Sequence, residues 1–157
     1  ISKVISGAQT GADFSGIKAA KYNNIPTGGY VPKGYLTEDG LKPELAEFGI
    51  LCTESDKYPP RTKMNVEKSD ATIIFQDIDS NGCRLTKSEC VKQKKPYVIV
   101  SSKDLNLARI EISKFIENVF NKKKNPIIIN IAGNRESKSN GIGERVFDIL
   151  FSVFSEI

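Results

Sequence analysis

A segment of small and polar residues near the amino terminus, GAQTGAD at residues 7–13, has the composition of a ligand-binding loop. Small residues allow the backbone to approach a ligand closely, and the free amides of a first helical turn attract an anion. Thr10 and Asp13 also have the spacing of a capping box, in which the Asp13 carboxylate would bind backbone amides instead. The segment therefore predicts an anion-binding loop or a capped helix start. Its ligand-binding candidates are Gly7, Ala8, Gln9, Thr10, Gly11 and Asp13.

A second candidate segment, residues 131–137, also leads from an apolar run through a glycine towards a helix. Arg135 presents a planar fork that suits phosphate or carboxylate, and Ser137 adds a hydroxyl donor. Arg135 and Glu136 are equally typical of a solvated loop pair. The ligand-binding candidates of this segment are Gly133, Asn134, Arg135, Glu136 and Ser137.

Further candidates lie between these two segments. Arg61 and Thr62 follow a Tyr-Pro-Pro sequence and have the chemistry to contact the polar periphery of a ligand. Gly82 and Thr86 lie at another predicted crossing from strand to helix, where open parallel sheets collect ligands. Thr86 and Glu89 also have capping-box spacing, so a helix start is the alternative there. Lys33 adds a cation, although a single lysine usually faces solvent.

The composition excludes several classes of chemistry. The 157 residues contain no histidine, which excludes Ser-His and Cys-His nucleophile pairs as well as imidazole metal ligands. The three cysteines lack CxxC spacing, so we expect no metal ligated by the protein and a reduced, cytoplasmic chain. The candidates for a catalytic role are the carboxylates of Glu136 and Asp13. The net charge of +4 is compatible with a small anionic ligand and is too weak to indicate nucleic acid.

The elements that must position these residues follow from the alternation of apolar runs with helical patterns. Strands buried on both faces read as continuous apolar runs, and their alternation with helices implies a parallel sheet covered on both sides. The sequence therefore predicts a single Rossmann-like α/β domain over residues 1–157. The predicted strands are 3–6, 71–75, 97–100 and 127–131, and the predicted helices run to about residue 22, over 87–94 and 104–120, and from 142.

Three other regions carry predictions. Residues 26–61 contain many glycines and prolines, which indicates an irregular segment with a short strand near 29–31. The last helix has an apolar stripe that Phe147 and Phe151 widen, so we expect a homo-oligomer through this helix, with deeper burial within the chain as the alternative. Lys122–Lys124 follow a helix end, where cations meet the dipole favourably; this favours a solvated end over a nucleic-acid patch. The apolar stretches are too short to span a membrane.

Taken in order, several segments resemble the molybdenum-cofactor carrier family, and the resemblance covers nearly the whole chain. The segments are GAQTGAD at 7–13, YVPKG at 30–34 with EDG at 38–40, YPPRTKMNV at 58–66, SDAT at 69–72 and AGNRES at 132–137. That family resembles a circularly permuted branch of the Rossmann-like superfamily that includes the lonely-guy or lysine-decarboxylase-like phosphoribohydrolases and the Smf proteins. This chain has Ala8 and Asn134 where the family pattern has glycine and proline.

The resemblance implies a carrier that binds a phosphorylated ligand, the molybdenum cofactor (molybdopterin) or a nucleotide, at the two glycine loops. In that cofactor the dithiolene sulfurs of the pterin hold the metal, so a carrier without metal ligands is sufficient. A nucleotide phosphoribohydrolase that cleaves an N-glycosidic bond is the alternative, although the signature of the unpermuted enzymes is not present in order. A nucleotide-sensing interaction module is the third possibility.

Overall fold

The computed structural model describes residues 1–157 and contains a six-stranded sheet in which all paired strands are parallel. The strand order is β5-β2-β1-β8-β6-β7. The strands are β1 Lys3–Ser6, β2 Thr27–Val31, β5 Ile50–Cys52, β6 Ala71–Phe75, β7 Tyr97–Val100 and β8 Ile128–Gly133, with a separate hairpin of β3 Leu36–Thr37 and β4 Gly40–Leu41. The helices are α1 Ala12–Tyr22, α2 Tyr58–Lys68, α3 Asn81–Lys92, α4 Leu105–Lys123 and α5 Ile142–Ser155. The predicted α/β Rossmann-like fold is confirmed.

The two faces of the sheet are covered differently. On one face, called here the apolar face, α1, α4 and α5 share a continuous cluster of 21 buried hydrophobic residues with the strands, and no residue of α2 or α3 belongs to it. The other face, called here the polar face, is covered by α2 and α3. Because side chains alternate along a strand, Ile129 and Ile131 of β8 join the apolar cluster while Asn130 lies on the polar face.

Helix α3 begins six residues earlier than predicted. Ser80 is its N-cap, and the Ser80 hydroxyl accepts a hydrogen bond of 3.2 Å from the Cys83 amide. Thr86 is therefore inside the helix, where its hydroxyl donates to the Gly82 carbonyl at 3.0 Å. The capping-box interpretation of Thr86 and Glu89 is wrong, because Ser80 already satisfies the first turn.

Residues 26–61 are more ordered than their composition predicts. They include the expected strand β2, and they also include the edge strand β5, the short hairpin and two 3-10 helices, Lys33–Tyr35 and Pro43–Phe48. Only Ile50 of β5 is buried, so this strand has no apolar alternation to reveal it. Helix α2 begins at Tyr58, at the end of the same segment.

The carboxyl-terminal helix buries its apolar stripe inside the chain. Val146, Ile149 and Leu150 all belong to the apolar cluster, as the periodicity predicts. Phe147 packs partly against this cluster and stacks on Phe151, whose ring remains half exposed. Self-association through this helix stays a prediction.

The lysine run at the end of α4 is partly engaged within the chain. Lys123 forms an ion pair of 2.7 Å with Asp70, and Lys124 caps the helix in a left-handed conformation. Asp70 also accepts a hydrogen bond from the Ile128 amide, so it has a structural role. No helix has both the length and the apolar character that crossing a bilayer requires.

Candidate functional site

A cavity of about 520 Å³ lies at the carboxyl ends of the central strands, on the polar face. The chain leaves β1 through α1 towards β2 and leaves β6 through α3 towards β7, in opposite directions across the sheet. Ligands of open parallel sheets bind at such a switch in direction. The volume falls within the range of small-molecule sites.

The two glycine loops predicted to form one site are in direct contact. The Ala12 amide donates to the Asn134 carbonyl at 3.2 Å, and the Glu136 amide donates to the Thr10 hydroxyl at 3.2 Å. Gly11 permits this approach, since a Cβ there would lie 2.6 Å from the Asn134 carbonyl oxygen and its φ is +79°. A single ligand could therefore reach both loops.

The structure divides the predicted residues into two groups. Those that line the cavity are Gly7, Gln9, Asp13, Arg61, Thr62, Gly82, Thr86, Gly133 and Arg135. Those that do not are Ala8, Thr10, Gly11, Lys33, Asn134, Glu136 and Ser137. Of the second group, Ala8, Thr10, Gly11 and Glu136 line a separate cavity of about 490 Å³.

Asp13 and Arg61 form an ion pair inside the cavity. Arg61 Nη1 lies 3.3 Å from Asp13 Oδ2, and that oxygen also accepts a hydrogen bond of 3.3 Å from the Gln9 amide. Burial raises the pKa of the Asp13 carboxyl above its ordinary value, and the positive charge of Arg61 and the amides of Gln9 and Gly133 offset this only in part. The pair supplies the cavity with a cation beside a carboxyl group that is harder to ionise than usual.

Gly7 makes room for this ion pair. A Cβ at position 7 would lie 1.4 Å from Arg61 Nη1 and 3.1 Å from Asp13 Oδ2. Because Gly7 has no side chain, the Arg61 guanidinium packs directly against the backbone of the first loop.

The capping-box interpretation of Thr10 and Asp13 is wrong. Helix α1 begins at Ala12 with Gly11 as its N-cap, and no side chain caps it. The Thr10 hydroxyl donates to the Glu38 carboxylate instead. Asp13 does bind a backbone amide, that of Gln9, but it belongs to the first helical turn and not to the third position of a box begun by Thr10.

In the side-chain amide of Gln9 the oxygen has hydrogen-bond partners and the nitrogen has none. Its Oε1 accepts hydrogen bonds from the Thr10 amide at 3.1 Å and the Glu38 amide at 2.9 Å. Its Nε2 has no partner, although the residue is only 5% exposed. An unsatisfied buried donor is costly, so this group is available to a ligand.

Two other residues of the cavity have unpartnered buried polar atoms. Asn130 Oδ1 has no partner, while its Nδ2 donates to the Thr72 hydroxyl at 3.3 Å, and the residue is 3% exposed. Arg61 Nε also has no partner. A cavity lined by several unsatisfied polar atoms has the character of a binding site.

Most of the backbone amides of the first loop are already used. The Ala8 amide donates to the Ser6 hydroxyl, and the amides of Gln9, Thr10 and Ala12 donate to Asp13, to Gln9 Oε1 and to Asn134. Of these residues Ala12 belongs to the first turn of α1, so the expectation that the amides of this turn are free for an anion is wrong at Ala12. This loop offers side chains to the cavity.

Two backbone amides at the start of α5 are also already bound, by a side chain of the chain itself. The Glu136 carboxylate accepts hydrogen bonds from the Gly141 amide at 2.7 Å and the Gly143 amide at 3.1 Å. Glu136 thus caps the helix that follows it. At the start of α2, Pro59 and Pro60 have no amide hydrogen to offer.

The start of α3 is open to the cavity. Asn81 and Gly82 are its first two residues and line the cavity, and their amides donate no hydrogen bond within the chain. A Cβ at Gly82 would meet no atom within 4 Å, so there is room in front of these amides. Helix α3 therefore presents two free donors at its positive end.

Asn134 and Lys33 have roles other than the predicted ones. The buried Asn134 accepts hydrogen bonds from the amides of Asp77 at 2.7 Å and Ile78 at 3.1 Å, which hold the loop after β6 in place. Lys33 is exposed, and its own amide donates to the Ser55 carbonyl. Neither residue lines the cavity, but Asn134 positions the loop after β6, which does.

Glu38 is an organising residue that is absent from the predicted set of site residues. Its carboxylate accepts hydrogen bonds from the hydroxyls of Thr10 and Ser137, and lies 3.8 Å from Arg135 Nη1. Burial opposes ionisation, but these hydrogen bonds outweigh it and hold the pKa of Glu38 below its ordinary value. The EDG segment of the family resemblance was the signal that pointed to this residue.

Tyr58 and Asn65 complete the wall formed by α2. The Tyr58 ring lies close to two cations, 5.2 Å from Arg61 Cζ and 5.5 Å from Arg135 Cζ. Asn65 binds the Tyr30 amide and carbonyl, each at 2.9 Å, and so fixes α2 to β2. Nowhere in residues 1–157 do three or more His, Cys, Asp or Glu side chains group as a metal site.

Comparisons with known proteins identify the family. The sequence model of the circularly permutated YpsA SLOG family matches residues 4–154. The crystal structure of a protein from Syntrophus aciditrophicus SB, named "putative molybdenum carrier protein", is 33% identical in sequence with a TM-score of 0.87, over 98% of this chain and 94% of that one. No functionally curated protein matches the sequence significantly. The resemblance found from the sequence motifs is confirmed, and the chain belongs to the circularly permutated YpsA SLOG family.

Proposed function

We propose that this chain is a carrier that binds a phosphorylated, ring-containing small molecule, molybdopterin or a nucleotide, in the cavity on the polar face. The observation that carries the proposal is the pair of free amides of Asn81 and Gly82 at the start of α3. At the starts of α1 and α5, the amides of Ala12 and Gly143 already donate hydrogen bonds within the chain. At the start of α2, two prolines have no amide hydrogen. The free amides support a phosphate at this end of the cavity, because the positive end of a helix attracts an anion.

The charge of the cavity supports an anionic ligand. Four cationic residues line it, Arg61, Arg84, Arg135 and Lys138, against the two acidic residues Asp13 and Asp79. Arg84 is held by Asp79 at 2.6 Å and Arg61 by Asp13 at 3.3 Å. The ion pair of Arg135 with Glu38 is longer, at 3.8 Å, and the Tyr58 ring is its other neighbour, which leaves the guanidinium able to turn towards a phosphate.

The remaining end of the cavity supports a polar ring. Gln9, Asn130 and Arg61 offer unpartnered donors and acceptors there, and only four of the 21 lining residues are hydrophobic. In molybdopterin the dithiolene sulfurs hold the metal, so the protein binds the pterin and the phosphate and supplies no metal ligand. The name of the Syntrophus protein supports molybdopterin as the cargo.

Isothermal titration calorimetry with molybdenum cofactor and with nucleoside monophosphates tests the proposal. We expect binding at micromolar or tighter dissociation constants, weakened about tenfold or more in Arg135→Ala. Arg109→Ala is the matched control, since Arg109 pairs with Glu156 outside the cavity and its loss should leave binding unchanged. Failure of every phosphorylated ring compound to bind would refute the proposal.

Hydrolysis of an N-glycosidic bond is the second candidate function, and the raised pKa of Asp13 favours it because such a group can donate a proton. Glu136, the other catalytic candidate, caps α5 and does not line the cavity. This leaves the reaction with Asp13 alone, which makes the carrier the better supported function. Release of free base from a nucleoside monophosphate, abolished in Asp13→Asn, would establish hydrolysis instead.

A further inference from the structure

The direction of the free Gln9 amide group is determined by the chain itself. Backbone amides donate hydrogen bonds and cannot accept them, so the atom that binds the amides of Thr10 and Glu38 must be the oxygen Oε1. The atom left unpartnered is therefore the nitrogen Nε2. Gln9 presents a hydrogen-bond donor, and only a donor, to whatever occupies the cavity.

Arg61 and Asp13, which line the same cavity as Gln9, offer a second donor and an acceptor. Arg61 Nε is an unpartnered donor, while Arg61 Nη1 binds Asp13 Oδ2. Gln9 is joined to the same carboxylate through its backbone amide, which donates to Oδ2. Together with the Gly133 amide these are three donors, and a carboxylate has about four acceptor positions, so Asp13 keeps the capacity to accept one hydrogen bond from a ligand.

We infer that the ligand carries a lactam, a ring carbonyl next to a ring N–H, and that Gln9 selects it; the inference rests on the proposed function. A carbonyl oxygen has two lone pairs and satisfies two donors at once, whereas a ring nitrogen has one. The adjacent N–H then donates to the Asp13 carboxylate. Oxopurines and oxopteridines have this edge, while their amino counterparts present an amidine.

Asn130 does not alter this selection. Its amide is oriented only by the Thr72 hydroxyl, which either donates or accepts. Asn130 therefore adapts to a donor or an acceptor on the ligand, whereas Gln9 Nε2 and Arg61 Nε can only donate.

Two pairs of ligands, each matched except at the lactam, test the inference by calorimetry. The first pair is IMP and AMP, and the second is pterin-6-carboxylate and 2,4-diaminopteridine-6-carboxylate. In each pair the first compound is a lactam and the second an amidine. We expect the lactam to bind at least about tenfold more tightly in at least one pair, because the amidine leaves a buried donor unsatisfied.

Gln9→Met keeps the length of the side chain and removes both the free donor Nε2 and the acceptor Oε1, so we expect the lactam preference to fall to about twofold or less. Gln93→Met is the matched control, because Gln93 binds Lys63 and Glu89 and does not line the cavity. Far-ultraviolet circular dichroism and thermal unfolding establish that both variants fold.

Equal binding of lactam and amidine in every pair that binds would overturn the inference and leave the proposed function standing. A lactam preference that Gln9→Met does not reduce would overturn the role of Gln9. Absence of binding by all four compounds overturns the inference, and the proposed function falls with it only if molybdenum cofactor and the other nucleotides also fail to bind.

Discussion

The two faces of the sheet bury different kinds of side chain, apolar ones on the apolar face and many polar ones on the polar face. On the apolar face, α1 approaches β8 so closely that a Cβ at Gly16 would lie 2.6 Å from Ile131 Cβ. On the polar face the buried positions of α2 are Thr62, Asn65 and Val66, and the neighbouring strands contribute Thr72 and Asn130. Apolar packing stabilises the fold, whereas unsatisfied polar groups contribute little stability and are suited to a ligand.

The largest loss of stability is expected for a substitution on the apolar face. Ile131→Ala should lower the free energy of unfolding by about 2–5 kcal/mol, since Ile131 is fully buried and its removal leaves a cavity. Asn130→Ala, at the adjacent position on the polar face, should cost only about 1 kcal/mol, because its side chain makes one hydrogen bond of 3.3 Å. Urea unfolding of both variants measures the difference. Equal losses would mean that the two faces do not divide stability and binding.

A smaller effect concerns the pH dependence that Asp13 gives to the polar face. Its pKa is raised by burial, so the folded chain holds this proton more tightly than the unfolded chain does. The contribution of Asp13 to stability is therefore complete below about pH 3.9, the usual pKa of an aspartic acid, and is lost as the pH rises through the folded pKa.

In the Asp13→Asn variant the side chain at position 13 cannot ionise, so this variant does not lose stability from this position as the pH rises. The stability of the variant relative to the parent should rise from pH 3.5 to neutral pH, measured by denaturant unfolding at each pH. A difference that stays constant with pH would contradict the raised pKa. Asp104→Asn, the same substitution at the exposed N-cap of α4, outside the cavity, is the control.

The smallest effect on stability is expected for Gly7→Ala. The added methyl group meets the guanidinium end of Arg61, which is flexible and can move away, so we expect a change of about 1 kcal/mol or less. Binding of IMP should nevertheless weaken, because the guanidinium leaves Asp13. Calorimetry together with thermal unfolding separates the two effects, with Gly82→Ala as the stability control since its Cβ meets no atom. A large loss of stability would show that Arg61 on the polar face also holds the fold together.

Much of the architecture could be predicted because its signals are local. The strands at Lys3–Ser6, Ala71–Phe75 and Tyr97–Val100 coincide with apolar runs, and α5 begins at Ile142 as its periodicity predicts. The start of α3 was missed because Ser80 caps it after a stretch without apolar periodicity. Strand β5 was missed because only one of its three residues is buried.

The candidate site could be predicted only in part. The loop glycines, Arg61, Asp13 and Gly82 have composition and motif signals, and all of them except Gly11 line the cavity. Asn130 lies within an apolar run that reads as an ordinary buried strand, so no local pattern assigns it to the site. Glu136 looked like a functional acid because a carboxylate in a glycine loop and a carboxylate capping a helix have the same local sequence.

The order of apolar runs, glycine turns and helical patterns was enough to predict the parallel α/β fold, and the ordered motifs from GAQTGAD to AGNRES indicated the family of this chain. Only the tertiary structure decided which polar groups are left for a ligand. The reason is that a donor or acceptor is free only when no other part of the chain reaches it. Asn134 reaches the Ala12 amide from more than a hundred residues away, and Arg61 reaches Asp13 across the gap left by Gly7, whereas nothing reaches the amides of Asn81 and Gly82.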